Sequence, residues 1–275
     1  MIVLGGSSRQ SLAALRVALD NTLKGVSAGD ASAISSGLFK ALVAIDSSTG
    51  LRRALTDSAR DASSKSDLVS DLFKKSLTGP VLALLANATS LRWSSPSGIA
   101  DAIEQIAVEA EATAANLGNS LDQVQSEIFT FSKLLIENPD LRTALSERAQ
   151  SPESKQALLK SIFGSKFSAS TNSLLSHSVE SRRARSIEKT IAAYSHAVTA
   201  RRNRVNAHIK SSIALSDGQA KKLADSLTKQ IGQPVHLNIE IDPSILGGIS
   251  IRFGDEVIDG TISNRLAEAS RALVS

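Results

Sequence analysis

The sequence predicts a mainly α protein: a duplicated N-terminal helical bundle region followed by a small C-terminal α/β domain with a β-hairpin. Three observations carry this. Before residue 206, apolar residues recur at intervals of three, four or seven. The chain matches itself at an offset of 90. Strict period-two alternation is confined to the stretch after residue 205.

In chain order, Met1 to Leu4 is a brief apolar run that Gly5-Gly6 ends at once, so neither a signal peptide nor a membrane span is expected there. The repeat follows. Leu51-Arg52 matches Leu141-Arg142, Ala54-Leu55 matches Ala144-Leu145, Ala59 matches Ala149, and Ser64-Lys65 match Ser154-Lys155. Leu68 matches Leu158, Phe73 matches Phe163, Leu84-Leu85 match Leu174-Leu175, and Phe39 with Phe129 extends the register upstream. Asn138-Pro139 and Ser151-Pro152 each put a capping residue before a proline at the first helical position, and Asp61 stands where Ser151 does. Both copies are therefore expected as antiparallel helical hairpins, with Leu68 and Leu72, like Leu158 and Ile162, on one helix face.

Between the copies runs a longer stripe: Ile103, Ile106, Ala110, Ala114, Leu117, Leu121, Val124, Ile128 and Leu135, interrupted at Gly118-Asn119-Ser120. It predicts one long helix or two nearly collinear ones. A further stripe, Ile187, Ile191, Tyr194, Val198 and Val205, leads to the tail. The units drawn from this are 1–113, 114–205 and 206–275.

In the tail, Ser216-Asp217-Gly218-Gln219 has capping-box spacing, and Ala220, Leu223, Leu227 and Ile231 follow at helical intervals until Gly232 and Pro234, giving a helix over 217–231. Val235, Leu237, Ile239 and Ile241 alternate with polar residues as a half-buried strand. Ile249, Ile251 and Phe253 repeat the period, and Gly254-Asp255 supplies a tight hairpin turn before a return strand over Glu256 to Asp259. Gly247-Gly248 is a separate bend, and Ile262, Leu266, Ala269 and Leu273 make a last amphipathic helix.

The segment Asp242-Pro243-Ser244 with Gly247-Gly248-Ile249, followed by Gly254-Asp255, Val257-Ile258-Asp259-Gly260 and a terminal helix, closely resembles the delta subunit of rotary ATP synthases, the counterpart of the mitochondrial oligomycin-sensitivity-conferring protein. Asp242, Pro243, Gly247, Gly248, Gly254, Asp255, Asp259 and Gly260 carry the likeness as turn residues rather than as chemistry. Upstream, Arg9-Gln10-Ser11-Leu12-Ala13-Ala14-Leu15 keeps the Arg, second Ala and Leu of the family's first helix, with Ser11 in place of its Tyr and Leu12 in place of its first Ala. The extra helical unit is similar to the longer delta of some high-GC Gram-positive bacteria.

The resemblance implies a peripheral-stalk subunit at the cytoplasmic face of the plasma membrane. Its first helix, through Arg9, Leu12, Ala14, Leu15 and Leu19, would grip the alpha subunits of the catalytic head, and its C-terminal domain would hold the b subunit.

Other function classes find no residues to rest on. There is no cysteine, hence no thiol nucleophile or zinc-thiolate site. A Gly-x-x-x-x-Gly-Lys-Ser/Thr loop and a Gly-x-Ser-x-Gly elbow are both missing, and His177, His196, His208 and His236 lack ligand spacing. No catalytic, cofactor or metal residue is expected. Net charge is +4, but eight basic residues against Glu188 give +7 between Arg182 and Lys210, whereas Asp101, Glu104, Glu109, Glu111, Asp122 and Glu127 stand without a basic neighbour over 101–127. The basic Arg182 to Arg204 stretch leaves nucleic-acid binding as a weaker alternative, since the stacking aromatics of such binders are missing. A generic helical scaffold is the other.

Overall fold

The computed structural model describes residues 6–147, 149–180, 186–231, 235–243, 245, 247–253 and 256–261. The chain divides into two compact units, Met1–Thr199 and Ala200–Ser275.

The first unit is helical. Its elements are α1 (Gly6–Thr22), α2 (Ala28–Ser47), α3 (Thr49–Thr56), α4 (Ala62–Phe73), α5 (Gly79–Ser90), α6 (Pro96–Leu117), α7 (Leu121–Glu137), α8 (Pro139–Ser146), α9 (Pro152–Phe163) and α10 (Ala169–Glu180). Then comes α11 (Ile187–Val205), whose last residues belong to the second unit. The repeat is visible in the boundaries. Each of α3, α4 and α5 begins and ends 90 residues before α8, α9 and α10, and α2 ends 90 residues before α7. Ala31, Ile34, Leu38, Ala41 and Ile45 are buried on α2, and their equivalents Leu121, Val124, Ile128, Phe131 and Leu135 are buried on α7. At an offset of 91, inward-facing Ser8, Ser11, Leu12, Leu15 and Leu19 of α1 correspond to buried Ile99, Ala102, Ile103, Ile106 and Ala110 of α6. Thus α6, which runs unbroken through residue 113, closes the first set of helices and opens the second.

Burial along α6 is nearly continuous, and it packs on α1, α2, α3, α5, α7 and α10. It ends in a Schellman motif. Asn119 takes a positive φ of 55°, Ser120 N–H donates to Ala115 O at 2.8 Å, and Asn119 N–H donates to Asn116 O at 3.0 Å. The stripe over 103–135 is therefore two helices. By length and composition alone, α2 is apolar enough on average to cross a bilayer. Its apolar side chains, Ile34, Leu38, Phe39, Leu42 and Ile45, instead lie in the helical core.

The most deeply buried stripes of α4 and α9 do not run through Leu68 and Leu72 or through Leu158 and Ile162. Leu72 is 50% exposed, while Lys65, Val69 and Phe73, with their equivalents Lys155, Leu159 and Phe163, point inward. A lysine can line a core with its four-carbon stem if its ammonium reaches a polar group. Lys65 Nζ does so, donating to Asp57 O at 3.3 Å at the end of α3. Burial draws the Lys155 ammonium below the usual lysine range, opposed by the nearby Glu147 carboxylate at the matching position.

The second unit contains β1 (Asn206–Ser211), α12 (Asp217–Ile231), β2 (His236–Ile241), β3 (Ile249–Phe253) and β4 (Glu256–Asp259) in a sheet of order β2-β1-β3-β4. β1 and β2 are parallel, so a crossover must join them, and α12 is that crossover. The capping box forms: Ser216 N–H donates to Gln219 Oε1 at 2.9 Å, and Gln219 N–H donates to Ser216 Oγ at 3.4 Å. β3 pairs antiparallel with both β1 and β4. The core is Ala207, Ile209, Leu227, Val235 and Ile251, with Leu223, Ile231 and Leu237 packed against it. The apolar face of β2 is buried only at its start: Ile239 is 38% and Ile241 55% exposed, because β2 is an edge strand and α12 covers its Val235 end. Gly254, Asp255 and the predicted terminal helix lie outside the described residues.

Candidate interaction surfaces

The residues expected to grip a partner through α1 fall into two groups. Leu12, Leu15 and Leu19 are buried, at 6%, 0% and 0% exposure, as α1 packs on α5 and α6. Arg9 and Ala14 face outward, joined by Ala13 and by Val17 at 55% exposure. Ser11, standing where the family has a tyrosine, donates its hydroxyl to Arg92 O. Ser8 Oγ accepts from Ser94 N–H at 2.8 Å, fixing the start of α1 beside the start of α6.

The four glutamates of the acidic run over 101–127 prove to be internal, whereas Asp101 is half-buried and Asp122 exposed. Glu104, Glu109 and Glu111 are each 1% exposed, and each takes a neighbouring helix as donor. Arg16 Nε of α1 donates to Glu109 Oε1 at 2.8 Å, Ser32 Oγ of α2 to Glu111 Oε2 at 3.0 Å, and Tyr194 OH of α11 to Glu104 Oε1 at 3.3 Å. A lone buried carboxylate is costly, so these sockets fix which helices may surround α6. Charge without a basic neighbour in sequence was the available signal, but its partners lie about 90 residues away in either direction.

Glu127 does the same for the start of α10. Its carboxylate accepts Ser168 N–H at 3.0 Å, Ser168 Oγ at 2.7 Å and Gln123 Nε2 at 2.8 Å. Burial raises its pKa, but hydrogen bonds from Thr171, Ser168 and Gln123 outweigh this and the net shift is downward. A lowered carboxylate pKa stabilises the fold above the unfolded value, about 4.3, and that stability is lost as pH falls through the folded value. Acid titration of unfolding is therefore expected to show a stability loss below about pH 4 that is smaller in Glu127→Gln.

In the second unit, the described motif residues sit at bends and strand ends. Gly247 and Gly248 have φ of 148° and 85°, and a Cβ on Gly248 would lie 2.5 Å from Gly260 O. Gly260 N–H donates to Ile249 O at 3.0 Å, Asp242 Oδ2 accepts from Lys210 Nζ at 3.2 Å, and Pro243 is exposed. Asp259 Oδ1 accepts Thr261 N–H at 3.0 Å, and bonds from Thr261 hold its pKa below the usual aspartate range.

Among the described residues, no group of three or more His, Asp or Glu is placed to hold a metal ion. His177 pairs with Glu180 at 2.7 Å and stacks on Phe39, while His196 and His208 are exposed. Of the basic stretch, Arg201 is buried and Arg202 half-buried, which removes them from a solvated face. Arg182, Arg183 and Arg185 lie outside the described residues.

The chain is similar to ATP synthase subunit delta of Streptomyces coelicolor, 37% identical over 270 residues with 98% of each chain covered. It is also 35% identical to that of Thermobifida fusca over 268 residues, again with 98% of each chain covered. A chain from the mitochondrial ATP synthase hexamer of Toxoplasma gondii overlaps 61% of this chain and 97% of its own, at 18% identity and a TM-score of 0.33. The pattern of the ATP synthase delta (OSCP) subunit matches residues 108–273, beginning within α6 and taking in the second helical copy and the sheet. With full-length relatives and more than half of its residues in that match, the chain belongs to the ATP synthase delta (OSCP) family, peripheral-stalk subunits of the membrane-associated synthase.

Proposed function

We propose that this subunit is a non-catalytic tie at the cytoplasmic face of the membrane, with head alpha subunits on its helical unit and the b subunit on its C-terminal unit. The helical part is read as two copies, 1–113 and 114–205, meeting within α6. One observation carries the head contact. In the second copy, the side formed by α6 and α10 is covered by helix α2. The equivalent side of the first copy, formed by α1 and α5, presents Arg9, Ala14, Val17, Ala83 and Asn87 to solvent. Cover by a helix on the equivalent side of the second copy supports a helical partner here, and the small side chains leave room for one to approach closely. An amphipathic alpha-subunit segment supplies the apolar stripe. Two contacts joined through one chain raise each other's effective concentration, which suits a joint that must hold under torque.

Removing α1 would strip α5 and α6 of their cover, so surface substitutions are the sharper test. In the full chain, tagged at its C-terminus and purified from gently solubilised membranes, Ala14→Glu with Val17→Glu is expected to lower alpha-subunit recovery at least about tenfold. Unchanged recovery of the head, with helical content intact, would place the contact elsewhere.

A further inference from the structure

The two copies can be compared residue by residue, and one face does not match. On α2, Phe39 and Leu42 are buried because the second copy lies over them: the His177 ring of α10 stacks on Phe39 with centroids 4.1 Å apart, and the Tyr194 ring of α11 stands at 6.2 Å. Ninety residues on, α7 presents Phe129 and Ser132 on the same strip, and one turn further Ile136 replaces Asp46. Here Phe129 is 59% and Ile136 71% exposed. Stacked repeats bury an unlike face of each neighbour, so an array ends with one face of each kind uncovered. The α1–α5 side is one such end, and the outer face of α7 is the other.

We propose that the outer face of α7, built on Phe129, Lys133 and Ile136, docks a helix of another ATP synthase subunit that presents an apolar stripe with a carboxylate in it. The inference rests on the stalk reading above and adds a second surface to it. The occupant follows from two features. The matching strip of α2 seats a helix whose planar side chain lies flat on the phenylalanine and whose Glu180 stands one turn further on. Lys133, where the first copy has Val43, holds its ammonium 5.2 Å over the Phe129 ring. A cation set between two apolar side chains on one stripe, at i, i+4 and i+7, favours a helix carrying an acid at its centre over a purely apolar one.

The test uses the full chain assembled in membranes, with a benzophenone amino acid at position 129 or 136. Illumination is expected to link both positions to one helical segment of another synthase subunit that contains Asp or Glu within an apolar stripe. Lys133→Glu is expected to lower that yield about fivefold, and Lys133→Arg to preserve it. Crosslinks confined to this chain's own residues, to lipid, or to a second copy of the chain would overturn the proposal, as would yields indifferent to Lys133→Glu. Co-purification of the head and stalk separates the two readings. If the synthase is recovered but position 129 reaches no other subunit, only this inference fails; if the synthase is not recovered, the stalk reading fails and this inference with it.

Discussion

Gly248→Val is expected to unfold the C-terminal sheet while leaving the helical unit folded. Gly248 sits at φ 85°, and a Cβ there would stand 2.5 Å from Gly260 O and 3.0 Å from Thr261 Cα, both backbone atoms of the segment that follows β4. A left-handed conformation costs an L-residue about 1–2 kcal/mol, and forcing side-chain atoms against packed backbone adds about 1–3 kcal/mol. A loss of roughly 4 kcal/mol is comparable with the whole stability of a small domain. Hydrogen exchange resolves the outcome by segment: amides of β1 and β3 should lose protection, and those of α2 and α6 should keep it. Gly218→Ala, where a Cβ meets nothing within 4 Å, serves as the harmless control. Retained protection in β3 would show that the bend can relax around a side chain.

The second large effect is expected at Arg16→Ala. Arg16 Nη2 lies 2.7 Å and Nε 2.8 Å from Glu109 Oε1, and the Glu109 side chain is 2% exposed. Removing one partner of a buried pair costs about 3–5 kcal/mol because the other charge keeps its desolvation without its counter-ion. For a unit of this size that is a drop in Tm of about 10 °C. The double variant Arg16→Met with Glu109→Leu should recover most of the loss, since it removes both charges and keeps the volume. If the double variant were as unstable as Arg16→Ala, packing by the arginine stem rather than the ion pair would be the cause.

Local patterns made much of the fold legible. The Ser216 to Gln219 box and the hairpin strands after Gly248 each report on a few neighbouring residues, the offset of 90 needs only the chain laid against itself, and each appears at the expected place. β1 went unread: only Ala207, Ile209 and Ser211 alternate, too few to separate from the preceding helical stripe, and its pairing with β2 is decided by residues 30 positions away. The inward lysines of α4 and α9 escaped because type outweighed spacing: Leu68 and Leu72 draw the eye, although Lys65, Val69 and Phe73 keep the better i, i+4, i+8 interval. The outward residues of α1, proposed above as a partner face, drew notice only through their likeness to the family motif. Which of Arg9, Leu12, Ala14, Leu15 and Leu19 remain accessible depends on where α5 and α6 lie, and no pattern within one helix encodes that.

Because α6 is a member of both helical copies at once, neither copy can melt or tilt without disturbing the other's packing. Two bundles joined by a loop would act as springs in series, each yielding separately under load. Two bundles sharing a continuous 22-residue rod deform as a single stiff block. Any give between the two contacts proposed above would then have to come from outside this helical unit.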